Sequence, residues 1–237
     1  TEEDSKAIAR EYKELLRISY QTLTDEDKKV IRLAFDTAVN AHKNQRRKSG
    51  EPYIFHPIAV AKIVAQRIGL DAVSIAAALL HDVVEDTEYT NEDIEQLFGK
   101  TIAHIVAGLT KISHLSREND ISLQAENFRK LLLTMNDDVR VILIKIADRL
   151  HNMQTMDSMA EYKQTKIASE TLYIYAPIAH RIGLYNIKTE LEDLALKYTD
   201  PERYFMILGK MEESKEEQQS YIDAFTKIVE TSLNEQK

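Results

Sequence analysis

Cysteine is absent from the 237 residues, which excludes disulfides and any thiolate metal site and fits a reducing compartment. Glycine (6) and proline (4) are scarce, against roughly 12% combined in average usage. All-β sandwiches and barrels need turn residues every few positions, so this scarcity argues against them. It also argues against collagen-like and Gly/Pro-rich disordered chains. Long apolar runs are missing: stretches such as Ile75 to Leu80 and Val141 to Ile144 fall far short of the ~20 residues a membrane span needs. Positive charge is in deficit, with Lys+Arg 31 against Asp+Glu 39 and a net charge of −8. Polyanions are repelled on average, so no direct nucleic-acid binding is expected, although a local basic pocket remains compatible with that balance. The N-terminal TEEDSKAIAREYKE is charged and lacks a signal-peptide apolar stretch. The cytoplasm is the expected location. Without an initiator Met, the chain is expected to be a trimmed piece of something longer.

What remains is a chain with 43% hydrophobic residues, enough to fold, and with helical periodicity nearly throughout. The expected class is all-α. Residues 2–20 carry Ile8, Tyr12, Leu15 and Leu16 at helical spacing. Thr24 opens a second helix, with Asp27 as its capping-box partner. Residues 43–57 (KNQRRKSGEPYIFHP) break the period and read as a loop. Helices are predicted at 57–68, stopping at Gly69, and at 71–85, apolar almost all round and therefore buried. Further helices are predicted at 91–98 behind an Asn91 cap, and at 101–109, 122–134, 137–155, 159–180 and 186–198. Pro201 opens another. Residues 1–195 read as one domain and 196–237 as a helical extension.

Chemistry enters through polar residues in apolar surroundings. His81-Asp82 interrupts the buried helix 71–85, where an unpaired carboxylate would cost several kcal/mol, so a cation or donors must lie nearby. Asp148 repeats the anomaly in VRVILIKIADRLHN, and His56 precedes Pro57. Two imidazoles and two carboxylates form a mixed N/O set suited to Mn, Fe or Zn. The same residues could be core histidines with carboxylates paired to Lys145 or Arg149, and an HD dipeptide does not decide between these. Glu85 and Asp86 follow His81 and Asp82 at i+4, where two acids could hold and deprotonate a water. A solvent-facing acidic turn is the alternative, weakened because a helix C-terminus disfavours acids. Asn152 and Thr155 follow Asp148 at i+4 and i+7, as ligand contacts or as caps. Arg46-Arg47-Lys48 could clamp phosphates or simply face solvent.

RKSGEPYIFHP, ALLHDVVEDT, IKIADRLHNM and IYAPIAHRIGL together resemble the hydrolase domain of RelA/SpoT-type alarmone synthetase/hydrolases, across roughly residues 25–200. The resemblance implies an HD-superfamily all-helical hydrolase domain acting on guanosine tetra- and pentaphosphate, (p)ppGpp. It implies His56, His81, Asp82 and Asp148 as ligands of Mn2+, with Glu85 and Asp86 as catalytic acids. Arg47, Lys48, Ser49, Tyr53, Asn152 and Thr155 match substrate-binding positions, with Arg46 added. Gln154 departs from the pattern, standing where many relatives carry Arg. The synthetase and regulatory domains expected C-terminally in such proteins lie beyond this chain. The expected reaction is removal of the 3′-pyrophosphate to give GDP or GTP, part of stringent-response control. Two alternatives stand beside it: a phosphohydrolase of another nucleotide, and a non-catalytic alarmone-binding module. His42, His104, His114, His151 and His180 read as structural.

Two segments outside these blocks carry expectations of their own. Residues 113–121 (SHLSRENDI) are polar and aperiodic, and read as a switch or lid loop. The stripe Ile222, Phe225, Val229, Leu233 reads as a docking surface.

Overall fold

A computed structural model describes residues 2–19, 23–116 and 137–235. Among the described residues there are helices and one isolated antiparallel bridge, Arg46 to Pro52, and no strand. The chain is all-α, as its composition and periodicity predict.

Helix α1 (Glu2–Ser19) turns Tyr12 and Leu15 inward. In α2 (Asp25–Ala41) the predicted capping box is in place: Asp27 N donates to Thr24 Oγ1 at 3.2 Å, and Thr24 N donates to Asp27 Oδ2 at 2.9 Å. Such a cap is worth about 1 kcal/mol. Helix α3 (Phe55–Ile63) begins earlier than the sequence indicates, so His56 sits in its first turn rather than in the preceding loop. Pro57 is tolerated there because a first-turn N–H has no helical partner to lose. The helix continues as a π-helical turn, Val64–Ile68, and stops where predicted, at Gly69 with φ 79°.

The predicted continuous helix 71–85 is two pieces. Helix α4 (Ala72–Leu79), capped by Asp71 onto Ser74 N, is followed by turns and then the short α5 (Val83–Asp86). His81 Nδ1 lies 2.8 Å from Ala78 O, the carbonyl that an unbroken helix would offer to Asp82 N–H. The interruption falls on the HD dipeptide.

Helix α6 (Asn91–Ser116) contains the two predicted segments joined across a kink at Gly99, whose φ of 80° and ψ of 171° only glycine adopts without strain. Thr90, not Asn91, makes the cap: it exchanges hydrogen bonds with Asp93, a capping box in the same S/T-x-x-acid spacing as at Thr24. Backbone helix carries on through Ser113–Ser116, where a loop was expected, because no glycine or proline stops it. Residues 117–121 of the expected lid and the predicted helix 122–134 lie outside the described residues.

Helix α7 (Val139–Gln154) packs against α3, α4 and α6 and buries Ile142, Ile146, Leu150 and Met153 completely. It approaches α6 closely at Gly108, where a Cβ would come within 2.9 Å of Val141. Helices α8 (Glu161–Glu170) and α9 (Ala176–Arg181) are joined by a π-helical turn, Thr171–Tyr175, and α10 (Tyr185–Thr199) packs against them. Helix α11 (Pro201–Glu235) then runs out from α10. Along it Phe205, Met206, Met211, Tyr221, Ile222 and Phe225 are exposed. The side chains of Val229 and Leu233, the rest of the expected docking stripe, lie outside the described residues.

Candidate active site

Four segments converge on one cavity of about 400 Å³. They are the loop between α2 and α3, the first turn of α3, the broken α4–α5 junction, and the C-terminal half of α7. Of the residues expected from the sequence to be catalytic, substrate-binding or metal-ligating, all line this cavity except His81, which is buried beside Asp82. Lys145, Ser158 and Met159 line it as well.

The loop is a closed structure, not a slack connection. Arg47 N donates to Glu51 O and Gly50 N donates to Arg47 O, both at 2.9 Å, and Tyr53 N reaches Gln45 O at 3.0 Å. Gly50, at φ 91°, occupies a conformation that a side chain would strain. This reversal presents Arg47, Lys48 and Ser49 at the cavity wall. The Arg46 guanidinium is engaged elsewhere: it donates to Gly50 O at 2.7 Å and to Asp4 of α1 at 2.9 Å, fastening the loop to the first helix.

At the cavity floor, donor atoms of His56, His81 and Asp82 lie within 4.8 Å of one another. His81 Nε2 is 2.9 Å from Asp82 Oδ2, and His56 Nε2 is 3.7 Å from the same oxygen. Asp148 Oδ1 approaches from α7, 3.2 Å from His56 Nε2 and 3.8 Å from His81 Nε2. Asp148 is also tied to Lys145 Nζ at 2.9 Å and accepts from Asn152 Nδ2 at 2.6 Å. Tyr53 donates to Asp82 Oδ2 at 2.6 Å.

The residues fit a divalent cation. A carbonyl only accepts, so His81 Nδ1, 2.8 Å from Ala78 O, carries a proton. In the neutral ring Nε2 is then a bare lone pair, buried and without a hydrogen-bond partner, facing carboxylate oxygens. Only a proton or a metal ion relieves that arrangement. Burial opposes charge on His81, but Asp82 and Asp148 outweigh it and push the imidazole up to about 9. Burial would likewise raise Asp82 and Asp148. The His81 imidazole holds Asp82 well below the usual carboxylate range, and the Lys145 ammonium does the same for Asp148. These carboxylates stay ionised although buried, and ionised is the state in which they ligate metals.

Glu85 and Asp86 line the mouth beside this cluster. Asp86 N closes a helical turn onto Asp82 O at 2.9 Å, so the i+4 relation survives the break in the helix. Gln45 Nε2 donates to Asp86 O at 2.8 Å and fixes that turn from the loop side. Thr155 caps α7 and donates from Oγ1 to His151 O at 2.8 Å. Gln154 points out of the cavity and donates to Glu190 of α10.

His151 is the residue that the sequence left as structural and that the fold brings into the site. Its Nδ1 lies 2.8 Å from His56 Nδ1 and 3.2 Å from Arg47 Nη1. Burial, His56 and Arg47 together press its imidazole down to about 3, which keeps it neutral. Its position three residues after Asp148 was the available signal, since i+3 neighbours share a helix face.

The chain matches the family described as HD domain over residues 34–185. It is 46% identical over 214 residues to a GTP pyrophosphokinase of Myxococcus xanthus, covering 89% of this chain and 28% of that protein. It is 47% identical over 216 residues to the bifunctional (p)ppGpp synthase/hydrolase SpoT of Escherichia coli K12, covering 91% and 31% respectively. The chain thus spans less than a third of the length of these curated relatives. A solved structure of a metazoan SpoT ortholog, described as hydrolysing ppGpp, superposes with a TM-score of 0.52 at 27% identity. That match covers 73% of this chain and 96% of the other. No described helix is long and apolar enough to cross a membrane. The chain belongs to the HD-domain family, in its SpoT/Rsh-type branch.

Proposed function

We propose that this domain hydrolyses the 3′-pyrophosphate of ppGpp and pppGpp, releasing pyrophosphate and GDP or GTP, with Mn2+ as its metal. The observation that carries the reading is one cavity lined together by an N/O cluster fit for a metal, two adjacent acids and the basic pair Arg47 and Lys48. Its ligands would be His56 and His81 through Nε2, with Asp82 and Asp148 through carboxylate oxygens. When bound, such a cation supplies Lewis acidity toward phosphate oxygens and lowers the pKa of a water.

The remaining work falls to side chains. Arg47 and Lys48 hold the pyrophosphate and neutralise charge as it builds. Ser49, Asn152 and Thr155 offer hydrogen bonds to the nucleotide, while Tyr53 holds Asp82 in place. Arg46 contributes chiefly by fixing the loop that carries Arg47. Glu85 and Asp86 position the attacking water and take its proton. Water oxygen adds to the phosphorus attached to ribose O3′, the P–O3′ bond breaks, and O3′ leaves as a hydroxyl after gaining a proton. Residues 1–195 make the hydrolase domain. Residues 196–237 lead toward the synthetase and regulatory domains of a longer cytoplasmic protein with no nucleic-acid role in this region.

The test is pyrophosphate release from ppGpp with Mn2+, and its loss in EDTA. Binding of ppGpp without turnover would point to a regulatory module. Turnover of other nucleotides but not ppGpp would point to a different phosphohydrolase.

A further inference from the structure

Arg47 reaches two consecutive residues of α7. Its Nη1 lies 3.2 Å from His151 Nδ1, and its Nη2 donates to Asn152 Oδ1 at 3.2 Å. A guanidinium has donors and no acceptor. His151 Nδ1 therefore presents its lone pair, and the ring proton sits on Nε2. The same Nδ1 stands 2.8 Å from His56 Nδ1, a hydrogen-bond distance at which one nitrogen must donate. Since His151 Nδ1 has no proton, His56 Nδ1 is the donor. A neutral His56 then carries its lone pair on Nε2, the atom that faces Asp148 Oδ1 at 3.2 Å and Asp82 Oδ2 at 3.7 Å.

We propose that His151 is a positioning residue of the metal site. By accepting from both His56 Nδ1 and Arg47 Nη1, it fixes the His56 tautomer that leaves Nε2 open to a divalent cation. It also ties the phosphate-holding arginine to a metal ligand. Asn152 runs a parallel tie from Arg47 to Asp148. The second ring nitrogen of a ligating histidine ordinarily donates to an outer partner, and here an imidazole takes the place of the usual carboxylate or carbonyl. The inference rests on reading the cavity as a metal-dependent active site.

Calorimetric titration of Mn2+ into the metal-free chain tests it, comparing wild type with His151→Leu and His151→Asn. Leucine removes the acceptor. Asparagine can place Oδ1 where Nδ1 stood. The expected result is a roughly 10–100-fold loss of Mn2+ affinity for His151→Leu, the scale of outer-partner removal, with most of it recovered in His151→Asn. Wild-type affinity in His151→Leu, or equal loss in both variants, overturns the proposal. A second measurement needs no variant: long-range proton–nitrogen correlation NMR on the diamagnetic Zn2+-loaded protein. It should place the His56 proton on Nδ1 and the His151 proton on Nε2, and a proton on His151 Nδ1 overturns the assignment. Neither measurement uses nucleotide. Intact metal binding without ppGpp turnover would therefore overturn the functional reading and leave this one standing.

Discussion

Lys145 is a sharp probe of the cluster, because its role should depend on whether metal is present. Its ammonium is buried 2.9 Å from Asp148 Oδ2. Burial alone would depress a lysine, yet the Asp148 carboxylate outweighs it and holds Lys145 above its ordinary value. At that separation and an effective dielectric of about 20, the attraction is roughly 6 kcal/mol before desolvation is subtracted. Lys145→Met keeps the stem and removes the charge, leaving Asp148 buried without its principal counter-charge. Breaking such a pair costs about 3–5 kcal/mol. For a chain of this size that corresponds to a drop in Tm of roughly 6–20 °C. The loss should be large in EDTA and much smaller in saturating Mn2+, because a dication beside Asp148 supplies the missing positive charge. Thermal melts of both proteins under both conditions provide the measurement. Equal losses with and without Mn2+ would refute the claim that Asp148 ligates the metal.

Three further outcomes are expected. His81→Ala or Asp82→Ala should lose both stoichiometric metal and hydrolysis, read by metal content after gel filtration; a metal-free variant with full activity would contradict the ligand set. Glu85→Gln with Asp86→Asn should retain fold, metal and ppGpp affinity while turnover falls at least ~100-fold, the usual scale for proton-transfer catalysis. Arg47→Ala should raise the ppGpp dissociation constant and flatten its dependence on salt, and GDP should bind much more weakly than ppGpp. Calorimetric titration of both nucleotides at two ionic strengths checks this, and equal affinities for the two would argue for a general nucleotide phosphohydrolase.

Much of this fold was legible because helices announce themselves locally. Thr24 with Asp27, Asp71 before an apolar run, and Gly69 after one each mark a boundary through a single hydrogen bond or a single φ. Thr90 with Asp93 carries the same signature, one residue ahead of Asn91, whose own cap-forming side chain masks it in the sequence. The break at 80–82 was not legible. Ala-Ala-Ala-Leu-Leu is ideal helix sequence, and nothing in local propensity stops it before Val83. The competing demand is tertiary: His81 Nδ1 takes Ala78 O as the ring turns toward His56 and Asp148, partners far away in sequence. The chemistry-bearing dipeptide is thus where local propensity gives way, which is where site requirements most often override it.

His151 shows the complementary failure. Spacing placed it on the Asp148 face of α7, yet spacing alone cannot separate a packed core imidazole from one that directs its neighbours. What separates them is the identity of the atoms opposite. Against a carbonyl, His151 Nδ1 would be a donor and a passive filler. Against the donor-only guanidinium of Arg47 it must accept, and that single constraint propagates through His56 to the nitrogen facing Asp82 and Asp148. Arg47 comes from the loop before α3, more than a hundred residues earlier in the chain. The His56 tautomer proposed above is therefore set by a long-range contact, made where the Arg47–Gly50 turn meets α7. On that proposal, reversing the loop and assembling the metal-binding cluster are coupled events. A substitution that opens the loop, such as Gly50→Val at φ 91°, should weaken Mn2+ binding although residue 50 touches no ligand.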